Sequence, residues 1–466
     1  MTAAGSGRSL PSTISDAVQA VAATAVTTHT TSRDGAAWPA PALGWYAVAV
    51  LTLAYIFSFI DRTILALLVQ PIQADLGLTD TQIGILHGFA FAIFYTLMGL
   101  PIAWLADRKR RNLIIAAGVL VWSLMTAACG FARSFWQLFL ARVGVGVGEA
   151  ALSPPAYSMI ADYFPPERLG RPLGVYSSGI YFGAGLAFIV GGGVVQFFSS
   201  VSHLSVPLLG EVAAWQLAFI AVGLPGILVA LLVLTVREPL RRGDSSAVVG
   251  DCGGLKPLIH WIGTRKGALG AHMFGFAFIG LPVQAVIAWA PTYLIRSFGF
   301  SPGQAGLALG VLALTFGAAG MVAGGWLTDW FRGRGRADAP LRTGLVAAVC
   351  ATPFAATATL APSWTLSLAL LGPLMFFVSC GIGAAPTGLQ LITPNRLRAQ
   401  VSALFMLVLN LIATGCGPAF TAVATDYVFY DSAAVGASIA LVCGIAAPVS
   451  ALIFVIGLKP YARASA

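Results

Sequence analysis

The chain predicts an all-α polytopic membrane protein of 12 transmembrane helices in two pseudo-symmetric six-helix bundles, on three observations. Of 466 residues, 58% are hydrophobic and only 9% are charged, whereas ordinary soluble domains carry about a quarter charged residues. The charges cluster and leave eight charge-free stretches, at 81–106, 112–132, 212–236, 267–295, 297–328, 343–395, 399–425 and 432–458. A membrane helix needs roughly 20 consecutive apolar residues. The third observation is a repeat. Ala103-Trp104-Leu105-Ala106-Asp107, with Arg108 to Arg111 behind it, returns as Gly325-Trp326-Leu327-Thr328-Asp329, with Arg332, Arg334 and Arg336 behind it. Pro166-Glu167-Arg168-Leu169-Gly170-Arg171 returns as Pro394-Asn395-Arg396-Leu397-Arg398 at nearly the same offset.

Splitting the apolar stretches at Pro, Gly and polar breaks places the spans in order. They fall at 43–70, 82–105, 112–131, 135–162, 170–198, 214–236, 267–296, 303–330, 341–361, 364–388, 399–424 and 434–457. Residues 1–42, rich in Thr, Ala and Ser, read as a disordered tail without a cleavable leader pattern. The linker 237–266 separates an N-terminal bundle, 43–236, from a C-terminal bundle, 267–458, and 459–466 form a short tail. Fifty-three glycines suit helices that pack closely in lipid, since small residues let backbones approach.

Basic residues orient the spans, because cytoplasmic loops carry the excess of Lys and Arg. With a cytoplasmic N-terminus, 22 of the 26 basic residues lie on the cytoplasmic side and only Arg133 and Arg296 lie opposite. Both termini are therefore expected in the cytoplasm. The net charge of +9 becomes a surface facing lipid head groups, not a nucleic-acid patch. "GVGVGEA" at 144–150 follows no strand and precedes no Lys-Ser/Thr, so it is not a nucleotide loop. With no Walker motif, an ATP-driven pump is excluded for this chain alone, and no cofactor or metal is expected. His29 and Asp34 share the spacing of an acyltransferase motif, but they lie in the polar tail.

At the Asp107 and Asp329 turns the chain resembles the major facilitator superfamily. More narrowly it resembles the spinster family in "FIDRTILALLVQPIQADLGLTDTQIGIL" (59–86), "ARVGVGVGEAALSPPAYSMIADYFPPERLGR" (141–171) and "GIYFGAGLAFIVGGG" (179–193). Two departures stand out: Ala103 occupies the usual Gly position, and Gln216 follows Trp215 where relatives commonly have Arg. The resemblance implies a monomeric proton-coupled carrier of an amphiphilic, lipid-like substrate of the lysolipid or sphingoid-phosphate class, working by alternating access, and no enzyme. A carrier of small organic anions or drugs is the alternative, and a passive lipid scramblase or receptor a further one. A bacterial inner membrane is the expected location.

Four ionisable residues sit deep in spans: Asp61 and Arg62 in span 1, Arg142 and Glu149 in span 4. Each costs roughly 2.5–3.5 kcal/mol at a helix centre, so they should pair and face a wet cavity. A buried structural ion-pair cluster is the plain reading, but desolvation can exceed the pairing energy. A carboxylate's proton affinity depends on its wetting and on nearby cations. Motion relative to Arg142 would therefore link protonation to conformation. The resemblance assigns that coupling to Asp61 and Glu149, with Arg142 as switch partner, and Arg62 suits a phosphate or carboxylate head group. Asp107, Arg108, Arg111, Asp162, Arg171 and Asp329 are the expected cytoplasmic gate. In the C-terminal half the middles of the spans hold no acid, leaving an apolar wall in which Gln284 and Asn410 are the polar exceptions. His272 reads as a helix-packing histidine.

Overall fold

Prolines, glycines and serine caps decide where each span starts and breaks. The computed structural model describes residues 38–165, 170–199, 204–206, 210–241, 255–394 and 397–465. The expected disordered tail therefore lies almost wholly outside the described residues. Span 1 is α1, Pro41–Leu67, followed by the short α2, Val69–Leu76, which Gly77 ends at φ +64°. Span 2 divides into α3, Asp80–His87, opened by a reciprocal Thr79–Gln82 capping box, and α4, Phe89–Arg108. Span 3 is α5, Arg111–Cys129.

Span 4, read as one helix, is two: α6, Phe135–Glu149, and α7, Ser153–Tyr163. The cause is Pro154 and Pro155, which lack the N–H groups that would bond the carbonyls of Ala150 and Ala151. Span 5 is α8, Gly170–Ser199, and span 6 is α9, Ala214–Gly223, with α10, Pro225–Thr235. Between them a hairpin, β1 Leu204–Val206 and β2 Gly210–Val212, pairs antiparallel with Leu204 opposite Val212. The linker contributes α11, Leu255–Thr264.

The second half runs through span 7, α12, Lys266–Phe298. Span 8 is α13, Pro302–Leu312, a π-turn at Ala313–Gly317, and α14, Ala318–Gly333. Spans 9 and 10 are α15, Ala339–Thr357, and α16, Trp364–Ile392. Span 11 joins α17, Arg398–Leu409, to α18, Gly417–Val423, through a π-turn at Asn410–Cys416, with another at Ala424–Phe429. Span 12 is α19, Val435–Ser465. Eleven of these are long and apolar enough to cross a membrane; the exception is span 4, broken and charged.

The two halves touch at the end remote from the basic loops. Glycines let backbones meet there: a Cβ on Gly192 of α8 would lie 2.8 Å from the Pro302 carbonyl oxygen, and one on Gly84 of α3 would lie 2.9 Å from that of Pro418. Towards the basic end the approach is lost. A Cβ on Gly174 of α8 or Gly99 of α4 would meet nothing within 4 Å. Since α8 packs along α13 and the π-turn after it but not comparably along α14, the halves form a V whose open side is the basic end.

Within the first half the run Gly144, Gly146 and Gly148 seats span 4. Gly148 faces the Trp122 nitrogen, and a Cβ there would be 2.6 Å from that backbone atom. Backbone cannot swing aside, so Gly148→Ala is expected to cost about 1–3 kcal/mol by overpacking. Gly174→Ala should instead stabilise α8 by roughly 0.5–1 kcal/mol. Denaturation midpoints in detergent micelles check the pair; equal midpoints would contradict the packing described.

Candidate coupling site and gates

Spans 1 and 4 cross so that one face of α1, carrying Ser58, Asp61 and Arg62, meets the end of α6. Glu149 is the last residue of α6, where a helix's carbonyl end carries partial negative charge. A carboxylate there needs donors. Its Oε2 accepts from the Ser58 hydroxyl at 2.7 Å and pairs with the Arg62 guanidinium. Its Oε1 has no partner among the described residues. The Arg62 guanidinium also lies 4.1 Å from the centre of the Phe91 ring, with Phe59 and Tyr95 at 5.2 and 5.8 Å. The Arg62 side chain is 26% exposed, that of Glu149 only 1%, so the arginine is the member of the pair that reaches the cavity.

Asp61 is fully buried. Thr126 and Trp122 face it and Arg142 and Glu149 are its charged neighbours, yet neither carboxyl oxygen closes a hydrogen bond with a described residue. Arg142, also fully buried, takes neither acid as a hydrogen-bond partner. Its guanidinium donates to the backbone carbonyls of Asp61 at 3.2 Å and Arg62 at 3.5 Å. The pairing thus differs from the expectation for Arg142. Seven residues of α6 span about 10 Å, so α1, crossing at the level of Glu149, offers its own Arg62 as the nearer cation. His87, overlooked in the sequence, ends α3 with a buried Nε2 that has no described partner, and Arg142 is the charge acting on it.

At the basic end Arg111 and Asp162 meet at 2.6 Å, and Glu238 joins them at 2.8 Å from Arg111. Ser158 accepts from Arg111, and the Asn112 N–H donates to Glu238. Glu238 was the missed member, the first acid after span 6. All of these residues belong to the first half. Arg108 lies over Trp104 at 3.7 Å, and Arg108, Arg171 and Asp329 are exposed. The Asp107 side chain lies outside what the structure describes. Among the described residues, no ion pair of Arg108, Arg111, Asp162, Arg171 or Asp329 joins the two halves in this conformation. Asp338, in the loop after span 8, is buried and pairs with Arg342 of its own half at 2.7 Å.

Contacts between the halves gather instead at the opposite end. Arg296 of α12 forks onto Asp80 of α3, at 2.8 Å to Oδ2 and 2.9 Å to Oδ1. It also donates to Gln73 at 2.7 Å and to the Ser432 carbonyl at 2.9 Å. Asp426 accepts the backbone N–H of Thr81 at 2.6 Å. None of Gln73, Asp80, Asp426 and Arg296 was singled out in the sequence, where Arg296 counted only as an exception to the charge bias.

The second half supplies an apolar surface. Leu314, Ala318, Val322 and Trp326 form a shallow, open apolar groove along span 8. Leu314 approaches Gly185 of α8, so the stripe below it continues on the side that span 5 leaves free. Gln284 donates to the Thr414 hydroxyl at 2.7 Å, and Asn410, half-buried, opens the π-turn of span 11. His272 is buried among Phe276, Phe405 and Tyr461.

The Major Facilitator Superfamily model matches residues 51–418. The crystal structure of a bacterial homologue of the human lysosomal transporter spinster, inward-facing and unoccupied, superposes with a TM-score of 0.74 at 31% identity. That match covers 92% of this chain and 98% of the other. An MFS-type efflux pump of Mycolicibacterium smegmatis is 33% identical over 292 residues, 62% of this chain and 63% of that protein. A probable L-galactonate transporter of Escherichia coli is 27% identical over 371 residues, 77% of this chain and 78% of its own length.

Proposed function

This chain belongs to the major facilitator superfamily and, within it, to the spinster family; from that premise we propose that it moves an amphiphilic, lipid-like substrate by proton-coupled alternating access. The observation that carries the proposal is Asp61, a fully buried carboxyl that faces Thr126 and Trp122 yet closes no hydrogen bond or ion pair among the described residues. An ionised carboxylate in that position would be desolvated and unpaired, which is costly. Wetting of the site, or a shift of Arg142 from the carbonyls of span 1 onto the Asp61 side chain, would favour the anion. The second change is a movement within the first half and the first accompanies the parting of the halves, so proton occupancy and conformation are linked.

Orientation follows from the charge bias: the basic end is cytoplasmic, in a cell inner membrane, with both termini inside. The open V is then the cytoplasm-facing state. Arg62 offers a guanidinium to an anionic head group, and the Leu314–Trp326 groove offers an apolar surface to a chain. A polar first half opposite an apolar second half suits a molecule with the same division. A second reading, a carrier of small organic anions, draws on the likeness to the probable L-galactonate transporter and uses Arg62 for a carboxylate.

Reconstitution in liposomes under an imposed pH gradient separates the two. Labelled lysolipid should accumulate, or be expelled, in proportion to the gradient, and a sugar acid should not compete. Transport of the sugar acid with no lysolipid movement would replace the first reading with the second.

A further inference from the structure

The short helix α3 stands between two breaks, Gly77 at φ +64° and Gly88 at φ −92°, ψ −82°. Its first turn is gripped by the other half of the molecule. The Arg296 fork onto Asp80 is closed off from water, with the two side chains 11% and 2% exposed. Gln73 and the Ser432 carbonyl take further Arg296 donors. Asp426, one residue from the cluster, accepts the N–H of Thr81, an anion placed at the positive end of a helix dipole. The last residue of α3 is His87, whose unpartnered Nε2 lies in the field of Arg142.

We propose that α3 is a latch: Arg296 and Asp426 of the second half, holding Asp80 and Thr81 of the first, keep the outer entrance shut, and their release is the step that opens it. The proposal rests on the alternating-access reading above. Three features distinguish a latch from a passive rivet. Among the described residues Asp80–Arg296 is the one ion pair that joins the halves. Gly77 separates α3 from α2 and Gly88 kinks it against α4, so the helix has its own axis between the two halves. A π-turn, Ala424–Phe429, bears Asp426, and such turns inside α-helices are frequent at functional sites. The same eight-residue helix therefore joins the coupling residues at one end to the outer seal at the other.

Spin labels at Ala74→Cys and Ala433→Cys, both exposed at the outer end, report the separation of the halves there by electron–electron resonance. The full chain is used, with its native cysteines replaced. Wild type should show a dominant short distance and a minor long one that grows with substrate and gradient. Arg296→Lys, which keeps the charge but loses the fork, and Asp426→Asn should each raise the ratio of long to short populations about tenfold. Both preserve size, so the comparison stands on them if Arg296→Ala does not fold. Unchanged distances in both variants, with wild-type transport rates, would overturn the latch while leaving alternating access intact. A wild type that transports with one fixed distance under every condition would instead remove the alternating-access reading itself.

Discussion

Asp61→Asn is expected to abolish the response to a pH gradient while leaving downhill exchange of substrate in place. The side chain keeps its size, and the amide oxygen still faces Thr126 and Trp122, the two polar side chains beside Asp61. What disappears is the second charge state. A coupling free energy of about 1–3 kcal/mol corresponds to roughly 5–150-fold in the linked equilibrium, so gradient-driven accumulation should fall by that factor. Measuring initial uptake with and without the gradient separates the two modes. Gradient-driven accumulation equal to wild type would place the coupling proton elsewhere.

The second large effect concerns the Arg62–Glu149 pair. Arg62→Met leaves Glu149, 1% exposed, at a helix carbonyl end with Ser58 as its remaining donor. Breaking a buried pair by removing one partner costs about 3–5 kcal/mol. Replacing both, as Arg62→Met with Glu149→Met, is expected to recover most of that cost, since a packed apolar pair can match a buried ion pair. Transport should fail in the single and in the double variant alike. Thermal denaturation in detergent supplies the stabilities. A double variant that is stable and still driven by the gradient would reduce the pair to a structural role.

The membrane spans were legible because the signal is a run of uncharged residues, and it survives any local irregularity. Span 3, read at 112–131, is Arg111–Cys129; span 8, read at 303–330, runs from Pro302 to Gly333. The irregularities themselves were harder to read. A π-turn adds one residue to a turn without altering hydropathy, so Ala313–Gly317 and Asn410–Cys416 left no mark. The break after Glu149 was readable from Pro154-Pro155 and went unused. At the coupling site, residue type and spacing identified the four charges but not their partners. Arg142 binds carbonyls, which every residue has, and a composition pattern cannot name them. The outer seal was illegible for another reason: Asp80 and Arg296 are 216 residues apart, and their meeting belongs to one conformation of the two halves.

The central claim is that substrate movement and proton movement are one process, routed through Asp61 and Glu149. A pH-sensitive dye sealed inside proteoliposomes tests it most directly, with substrate added outside and no gradient imposed. Wild type is predicted to change the internal pH in step with substrate uptake, and Asp61→Asn and Glu149→Gln to leave it flat. Substrate uptake by wild type at a constant internal pH, or an equal pH change in both variants, would contradict the account.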